Sequence, residues 1–326
     1  MTGGHTTSER LRLRVARKSV AAEDIASFEL VDPTGRDLPV FAAGAHIDVC
    51  MAEDLVRQYS LLNDPRERHR YCLGVLREPV STGGSVHMHD EVTQGGLLEA
   101  SAPRNSFHLV EDAAHSILLA GGIGVTPILT MAHRLWALGN SFEMHYCTRS
   151  RARTAFYDDL QAAGFSDRVR FHFDDGPASQ LLDIPKRLAR YDEAHHLYVC
   201  GPPGFMDAVI TASEDSWPAG TVHREYFSND PQAGHDDDES FHVTIDSTGE
   251  TVEIPAGRTI VEMLTEVGID VSVSCEQGIC GTCLTGVLKG DPDHRDLVLT
   301  DEERAANDQM TLCCSRAKSP VLLLDL

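Results

Sequence analysis

The sequence predicts a multidomain chain that combines an antiparallel β-barrel, a parallel α/β domain and a small C-terminal domain of sheet and helix. Three observations predict this: short alternating apolar segments come first, apolar strands followed by loops and helices come next, and a cysteine-rich loop lies near the C-terminus. The expected parts are a disordered lead at 1–10, the barrel at 11–110, the α/β domain at 111–229, a linker at 230–240 and the last domain at 241–326.

Composition restricts the class of protein. The chain has 326 residues, enough for two or three domains. Nine cysteines, an odd number, and the lack of an apolar segment before Leu11 favour a reducing compartment, so we expect a soluble cytoplasmic protein. No apolar run approaches the roughly 18 residues that span a bilayer. The formal charge of -22 disfavours nucleic acid and anionic lipid and would attract a basic protein partner, although it also serves solubility alone.

Short apolar segments near the N-terminus alternate with polar residues. Turn signals such as Asp32-Pro33, Gly35, Gly44 and Asp64-Pro65 separate them. Even spacing of short strands between turns is typical of an antiparallel barrel. The apolar positions are Leu11, Leu13 and Val15, then Phe28 and Leu30, then Ile47 and Val49, then Tyr71, Leu73 and Val75.

Two stretches of this region have the chemistry of a binding site. Arg57-Gln58-Tyr59-Ser60 sets a guanidinium, an aromatic ring and a hydroxyl along one extended segment, which suits a phosphate, a flat ring and a heteroatom. Ser81-Thr82-Gly83-Gly84-Ser85 precedes a short helix, and the free N–H groups at a helix start bind phosphate. An ordinary exposed strand and a bare loop are the simpler interpretations of these stretches.

The hydrophobic pattern changes near residue 115. The apolar run 116–120 predicts a buried parallel strand, and it leads into Gly121-Gly122-Ile123-Gly124-Val125-Thr126-Pro127. Thr126 as the N-cap and Pro127 as the first helical residue predict a helix start there. A strand, a glycine turn and a helix start together form the geometry that holds a pyrophosphate.

The same pattern occurs twice more. A strand at 142–147 precedes the polar Thr148-Arg149-Ser150-Arg151 and a helix around 155–160, and a strand at 197–200 precedes Gly201-Pro202-Pro203-Gly204 and a helix from Phe205. Strands that alternate with helices predict a parallel sheet whose ligands gather at the carboxyl ends of the strands. We therefore interpret 111–229 as a nucleotide-binding domain.

The chain after Phe227 is polar and acidic as far as Glu239, which predicts a linker that self-repulsion keeps extended. Beyond it, alternating segments at 241–245 and 251–254 predict a hairpin around Gly249. The segment 260–267 predicts a helix that ends at a glycine.

Cysteines dominate the last part of the chain. Cys275, Cys280 and Cys283 have the Cx4Cx2C spacing of a plant-type [2Fe–2S] site, and Cys313 is the expected fourth ligand. A zinc site or a thioredoxin-like pair would use only Cys280 and Cys283. Cys314 is the alternative fourth ligand. Only one of Cys313 and Cys314 can face the cluster, because neighbouring residues of an extended segment point in opposite directions.

Eight motifs in this order resemble the phthalate dioxygenase reductase family of bacterial oxygenase reductases, and the part of the chain around the cysteines is most similar to the vanillate O-demethylase reductases of that family. The likeness runs from about Leu11 to Leu326. The motifs are Arg57-Gln58-Tyr59-Ser60, Gly83-Gly84-Ser85, the 121–127 loop, Cys200-Gly201-Pro202, Glu225 with Phe227, the 275–283 loop, Asp293-His294-Arg295-Asp296 and Cys313-Cys314-Ser315-Arg316.

The resemblance implies an FMN-binding antiparallel barrel, an NAD(P)-binding α/β domain and a β-grasp plant-type ferredoxin domain. It implies that Arg57 holds the FMN phosphate, that Tyr59 lies along the flavin ring and that Ser60 bonds near its N5 atom. The residues that would complete the phosphate site are Gly83, Gly84 and Ser85.

For the coenzyme, the resemblance implies that Cys200 and Glu225 lie near the nicotinamide and that Phe227 shields the flavin face, so that with Ser60 they form the hydride-transfer centre. The residues that would meet the dinucleotide are Gly122, Gly124, Thr126, Gly201 and Pro202. The implied cluster ligands are Cys275, Cys280, Cys283 and Cys313.

Two positions depart from the family pattern. Thr82 stands where some relatives carry an arginine, and Ser150 stands where others carry an acid that would select NADH through a ribose hydroxyl. Arg149, Arg151 and Arg153 could accommodate a 2′-phosphate, so NADPH use stays open. We expect NADH, the coenzyme of the vanillate-type relatives.

The resemblance implies a reductase that carries electrons from NAD(P)H through FMN and a [2Fe–2S] cluster to a terminal oxygenase, and we expect a monomer with a basic partner. The partner could be a Rieske non-haem iron oxygenase, such as an aromatic O-demethylase or a ring hydroxylase, or a haem-thiolate monooxygenase. A redox-sensing electron-transfer protein without a dedicated oxygenase is the alternative from a different class.

Overall fold

The computed structural model describes residues 10–51, 55–78, 83–229 and 238–326. The chain divides into two compact units, residues 1–227 and 228–326. Thr82, the expected lead at 1–9 and most of the expected linker at 230–237 lie outside the described residues. No helix within the described ranges is both long and apolar enough to cross a membrane.

The first unit begins with a six-stranded antiparallel sheet in the order β4-β3-β6-β1-β2-β5. A bridge between Leu61, just beyond β4, and Leu73 of β5 joins the two ends of this sheet into a barrel-like curve. The elements are β1 (Leu11–Ala22), β2 (Ile25–Val31), β3 (His46–Cys50), β4 (Val56–Ser60), β5 (Tyr71–Leu76), α1 (Gly84–Asp90) and β6 (Leu97–Ala100).

The predicted alternation explains how these strands pack. Every second residue of β2, β3 and the start of β1 points into one core, while most residues between them stay partly exposed; the first five residues of β5 are all buried. The barrel core includes Leu13, Val15, Phe28, Leu30, Ile47, Val49, Tyr71, Leu73 and Val75, all of them 1% exposed or less.

The rest of the first unit is a five-stranded parallel sheet in the order β11-β10-β7-β8-β9. The chain runs outward from the central β7 to β8 and β9, then crosses back to β10 on the other side of β7. Such a switch point is where open α/β sheets bind ligands. The elements are β7 (His115–Gly121), α2 (Val125–Leu138), β8 (Phe142–Thr148), α3 (Tyr157–Ala162), β9 (Val169–Phe173), α4 (Ile184–Leu188), β10 (His195–Cys200), α5 (Pro203–Ser213) and β11 (Val222–Glu225).

The start of α2 differs from the sequence prediction. A 3₁₀ turn at Gly122–Gly124 runs directly into the helix, and Gly124 is the N-cap residue. Thr126 is therefore inside the helix, where its hydroxyl donates to the Ile123 carbonyl at 3.1 Å, and the prediction that it caps the helix was wrong. Pro127 is the third helical residue rather than the first, in the first turn where no N–H is needed.

The second unit contains a five-stranded mixed sheet in the order β13-β12-β18-β14-β16. Strands β12 and β18 are parallel, the other pairs are antiparallel, and α6 packs against this sheet in a β-grasp arrangement. The elements are β12 (Phe241–Ile245), β13 (Thr251–Ile254), α6 (Ile260–Glu266), β14 (Leu284–Lys289), β15 (Pro292–Asp293), α7 (Asp301–Ala306), β16 (Gln309–Thr311), β17 (Arg316–Ala317) and β18 (Val321–Leu324).

Local signals account for both helices of the second unit. Each begins with a capping box, Thr259 with Glu262 for α6 and Thr300 with Glu303 for α7. Asp238 lies in the predicted linker, but its side chain is fixed by an ion pair: the Arg295 guanidinium donates to its carboxylate at 2.9 Å. The predicted fold class is confirmed: a curled antiparallel sheet, a parallel α/β part and a C-terminal β-grasp part.

Candidate functional site

Strand β4 carries the first group of predicted site residues on the edge of the antiparallel sheet. It pairs with β3 from Val56 to Ser60. The Arg57 side chain passes so close to Gly84 that a Cβ there would lie 2.5 Å from Arg57 Cγ. Gly83 has φ 99°, in the left-handed region that suits glycine. The structure thus brings Arg57 together with the glycine pair at the start of α1.

Tyr59 and Ser85 complete this part of the site. Tyr59 is half-buried against the barrel core, and burial raises the pKa of its phenol, so the ring is neutral. The Ser85 hydroxyl accepts a hydrogen bond from the Glu78 backbone N–H at 3.1 Å. A guanidinium, a glycine cradle and an aromatic ring on one strand edge fit a phosphorylated flat ring such as FMN.

Two glycine loops meet at the switch point of the parallel sheet. A Cβ on Gly124 would lie 2.3 Å from the Cys200 carbonyl oxygen, and one on Gly121 would lie 2.8 Å from Pro202 Cδ. A Cβ on Gly201 would lie 3.0 Å from Gly121 Cα. Only glycine permits this close approach, which places the loop after β7 against the loop after β10.

Thr126 and Gly122 lie in different surroundings. Thr126 is 2% exposed, and its methyl group would lie 3.0 Å from a Cβ on Gly74 of β5. It therefore packs the parallel sheet part against the barrel, and its hydroxyl already bonds the Ile123 carbonyl. Gly122 has φ 52° and open space around it, as a loop that receives a ligand requires.

The ends of β10 and β11 bring the predicted hydride-transfer residues together. Cys200 pairs in register with Glu225, and the Ser60 hydroxyl donates to Glu225 Oε2 at 3.5 Å. Phe227 follows at 37% exposure. Three of the four predicted residues thus converge from two sheets, and the fourth lies two residues further along the chain.

Burial controls the charge of this group. The Glu225 residue is partly exposed, but protein atoms surround its carboxyl group and raise its pKa to about 8, against the opposing effect of the Ser60 hydroxyl. Burial, followed by the neighbouring Glu225 charge, raises the pKa of the Cys200 thiol well above its usual range. At neutral pH both groups are uncharged, which suits a site for an uncharged, flat nicotinamide or flavin ring.

Four thiols converge in the second unit. The Cys275 thiol contacts those of Cys280 and Cys313, and the Cys283 thiol contacts that of Cys313. Among the residues described, no group of three or more His, Cys, Asp or Glu side chains is arranged to hold a metal ion. A [2Fe–2S] cluster instead shares its four thiolates between two irons.

Backbone N–H groups point at these sulfurs. Gln277 and Ile279 direct their amides at Cys275 Sγ, at 3.4 and 3.5 Å, and Thr282 directs its amide at Cys280 Sγ at 3.4 Å. Such donors stabilise thiolates and tune the potential of an iron–sulfur centre. The loop fits a [2Fe–2S] cluster.

Cys314 has a different environment from Cys313. Its thiol lies 3.1 Å from the Thr311 hydroxyl, and a Cβ on Gly278 would lie 2.3 Å from its sulfur. Its thiol contacts that of Cys313. The geometry therefore favours Cys313 over Cys314 as the fourth ligand.

Sequence reasoning missed two contacts of the cluster loop. The Thr282 hydroxyl lies 3.2 Å from Cys280 Sγ, and the Asn229 amide donates to the Gln277 and Arg295 carbonyls at 3.0 and 2.8 Å. Thr282 could have been suspected from its place between two ligands. Asn229 had no local signal, because it lies in a polar stretch 48 positions before Gln277.

Comparisons with known proteins agree with this geometry. Residues 243–318 match the 2Fe-2S iron-sulfur cluster binding domain family. The chain is 51% identical to vanillate O-demethylase oxidoreductase of Pseudomonas sp. (strain HR199 / DSM 7063), over 96% of this chain and 98% of that protein. It is 42% identical to phthalate dioxygenase reductase of Burkholderia cepacia, over 97% of both chains.

Solved structures give the same result. Phthalate dioxygenase reductase superposes with a TM-score of 0.75 at 42% identity, covering 97% of this chain and 98% of its own. An intact type IV self-sufficient cytochrome P450 monooxygenase gives a TM-score of 0.83 at 37% identity, but only 43% of that chain is covered. These matches do not favour the zinc, thioredoxin-like or redox-sensing alternatives. The chain belongs to the phthalate dioxygenase reductase family, the NADH-, FMN- and [2Fe–2S]-dependent reductases that supply electrons to oxygenases.

Proposed function

We propose that this reductase oxidises NADH in preference to NADPH and delivers the electrons to a Rieske non-haem iron oxygenase that acts on an aromatic compound. The observation that carries the proposal is the 3.5 Å approach of Ser60, on the barrel strand, to Glu225, at the end of β11. It brings the expected flavin side and the expected nicotinamide side of the unit to one point. The names of the relatives, which include vanillate demethylation and phthalate dioxygenation, support the aromatic substrate.

When bound, FMN would supply the conversion of a hydride into single electrons, and the cluster would supply single-electron transfer. The chain supplies position. We assign to the glycines at 122, 124 and 201, with Pro202, the binding of the dinucleotide. Thr126 supports this loop from inside the helix. Cys200 and Glu225 stay neutral and exclude water beside the nicotinamide, and Ser60 offers a hydroxyl at the point of transfer.

On the flavin side, we assign the FMN phosphate to Arg57 together with Gly83, Gly84 and Ser85. The close packing of Arg57 on Gly84 supports this, because it directs a fixed positive charge toward the glycine pair. Tyr59 offers its neutral ring to the flavin plane.

In the second unit, we assign the cluster to Cys275, Cys280, Cys283 and Cys313. Their mutual contacts and the amide donors support the assignment. Arg295 and Arg316 are each about 5% exposed and hold Asp238 beside this loop, which fixes the entry of the chain into the domain.

The partner is tested by reconstitution. We propose a cytoplasmic monomer whose charge of -22 attracts a basic docking face on the oxygenase. With a vanillate-type Rieske oxygenase, NADH oxidation should be matched by formaldehyde release and should slow as salt rises. Coupled turnover with a haem-thiolate monooxygenase and none with any Rieske oxygenase would refute the proposed partner class.

Phe227→Ala is expected to change the KM for NADH and kcat several-fold, because the side chain that shields the flavin face is lost. The exposure of Phe227, 37%, makes a large loss of stability unexpected. Steady-state NADH:ferricyanide kinetics measure the effect, and the visible spectrum of the cluster serves as the internal control. Loss of the cluster signal in this variant would contradict the placement of Phe227 at the coenzyme site.

Gly124→Ala is expected to raise the KM for NADH at least about tenfold, since its methyl group would lie 2.3 Å from the Cys200 carbonyl and must push the two loops apart. Gly204→Ala is the matched control, because Gly204 lies in the neighbouring helix α5 with no atom within 4 Å of the added methyl. Coenzyme titrations of both variants, with flavin content measured alongside, test the prediction. If Gly124→Ala and Gly204→Ala had the same KM for NADH, the close contact between the two glycine loops would have no role in coenzyme binding.

A further inference from the structure

The carboxyl ends of β8 and β9 form a surface that the assignments above leave unused. The Asp174 N–H donates to the Thr148 carbonyl at 3.0 Å, and the Asp175 N–H donates to the Arg149 carbonyl at 3.1 Å. These bonds continue the sheet past the strand ends, so the turn at 174–175 runs beside the loop that contains Ser150. Both aspartates are exposed. Two carboxylates thus border the loop in which some relatives carry an acid.

The arginines of the same loop are already paired. Arg151 donates to Asp158 at 2.8 Å, and its guanidinium lies 3.4 Å from the centre of the Tyr157 ring. Arg153 lies 2.8 Å from Glu23 and 3.2 Å from Asp24. A coenzyme 2′-phosphate would have to break these pairs in order to use either guanidinium.

Arg149 is the remaining arginine of the loop. It is exposed, and it makes no ion pair with the parts of the chain that the structure describes. Burial, together with the smaller effect of the nearby Asp174 carboxylate, raises the pKa of the Cys147 thiol, at the end of β8, to about 12. The charge facing this loop is therefore predominantly negative, with one cation unneutralised.

We infer that Asp174 and Asp175 select NADH over NADPH, by accepting hydrogen bonds from the adenosine ribose hydroxyls and by repelling a 2′-phosphate. They would replace the acidic residue that some relatives carry at the position of Ser150. Carboxylates at the ends of parallel strands hold the ribose 2′-hydroxyl of NAD in doubly wound folds, whereas an arginine accommodates the 2′-phosphate of NADP. The inference rests on the proposed function, since it concerns the adenosine end of the same coenzyme.

The double substitution Asp174→Ser and Asp175→Ser in the full-length holoprotein tests it. We expect the ratio of kcat/KM for NADPH to that for NADH to rise at least about tenfold, from both a weaker NADH and a stronger NADPH reaction. Calorimetric binding of adenosine 2′,5′-bisphosphate should strengthen relative to binding of AMP. Direct binding of these two ligands reports the adenosine site without any electron transfer, so it gives a second readout.

Asp167→Ser is the control for position. Asp167 is also exposed, and its substitution removes one negative charge against the two removed by the double variant, but Asp167 precedes β9 and lies at the opposite end of that strand. Its coenzyme ratio should stay within about twofold of the parent, because distant exposed charges are screened. A parent that oxidises neither coenzyme would refute the proposed function. A parent that oxidises NADH, with the same ratio in the double variant as in the control, would refute this inference alone.

Discussion

Cys313→Ser is expected to abolish the [2Fe–2S] spectrum and to lower NADH-driven reduction of a protein acceptor at least about 100-fold. The reason is that Cys313 contacts both Cys275 and Cys283, so its loss leaves one iron with a single cysteine thiolate instead of two. Reduction of ferricyanide by the flavin should persist, since that step needs only the first unit. Iron and sulfide content, the visible spectrum and both activities are measured on the same preparation.

Cys314→Ser is the control for this experiment. The Cys314 sulfur packs against Gly278 and the Thr311 hydroxyl, where a serine hydroxyl would also find a partner. We therefore expect a normal cluster and near-normal electron delivery. If Cys314→Ser lost the cluster and Cys313→Ser kept it, the fourth ligand would have to be reassigned.

The cluster loop could be predicted from sequence because its information is local. Three of the four ligands lie within nine consecutive residues, and their spacing alone is typical of one kind of site. Zinc and thioredoxin-like interpretations would have required only the Cys280–Cys283 pair. The choice between Cys313 and Cys314 needed coordinates, since neighbouring residues differ only in where their sulfurs point.

The fold followed from periodicity, and the strands missed by sequence are short. Strand β9 lies at the edge of the parallel sheet, and although its residues alternate between apolar and polar, the pattern extends over only five positions. Strand β6 has four residues after a glycine pair. The true start of α2 depends on the contact of Gly124 with Cys200, 76 positions later in the chain, which no local capping rule can register.

The hydride-transfer centre shows the same limit. Ser60 and Glu225 are 165 positions apart, and neither is unusual in its own segment. Only the resemblance to a family linked them, and the contact between the end of β4 and the end of β11 gives that link a physical basis. The acidic turn at 174–175 was missed because its meaning depends on the parallel pairing of β9 with β8.

Glu225→Gln is expected to change how stability depends on pH. In the parent, the Glu225 carboxyl has a pKa of about 8 when folded, against about 4.5 when unfolded, because burial disfavours the charged form. Between these values the unfolded chain has released the proton and the folded chain retains it. The free energy of unfolding therefore falls as pH rises from about 4.5 to about 8, and levels off above that.

A shift of this size would cost about 5 kcal/mol for a fully buried group, and we expect about 2 to 4 kcal/mol because the residue retains some exposure. The glutamine variant removes the titration, so it should match the parent near pH 4.5 and be more stable than the parent at pH 8.

Trp136 and Trp217, the two tryptophans of the chain, both lie in the parallel sheet part, so their fluorescence during urea unfolding reports this region. Glu214→Gln, an exposed change at the end of α5, controls for the loss of one charge. Parallel pH profiles for the parent and Glu225→Gln would show that the carboxyl ionises freely in the folded protein, and Ser60 would then face a carboxylate at neutral pH.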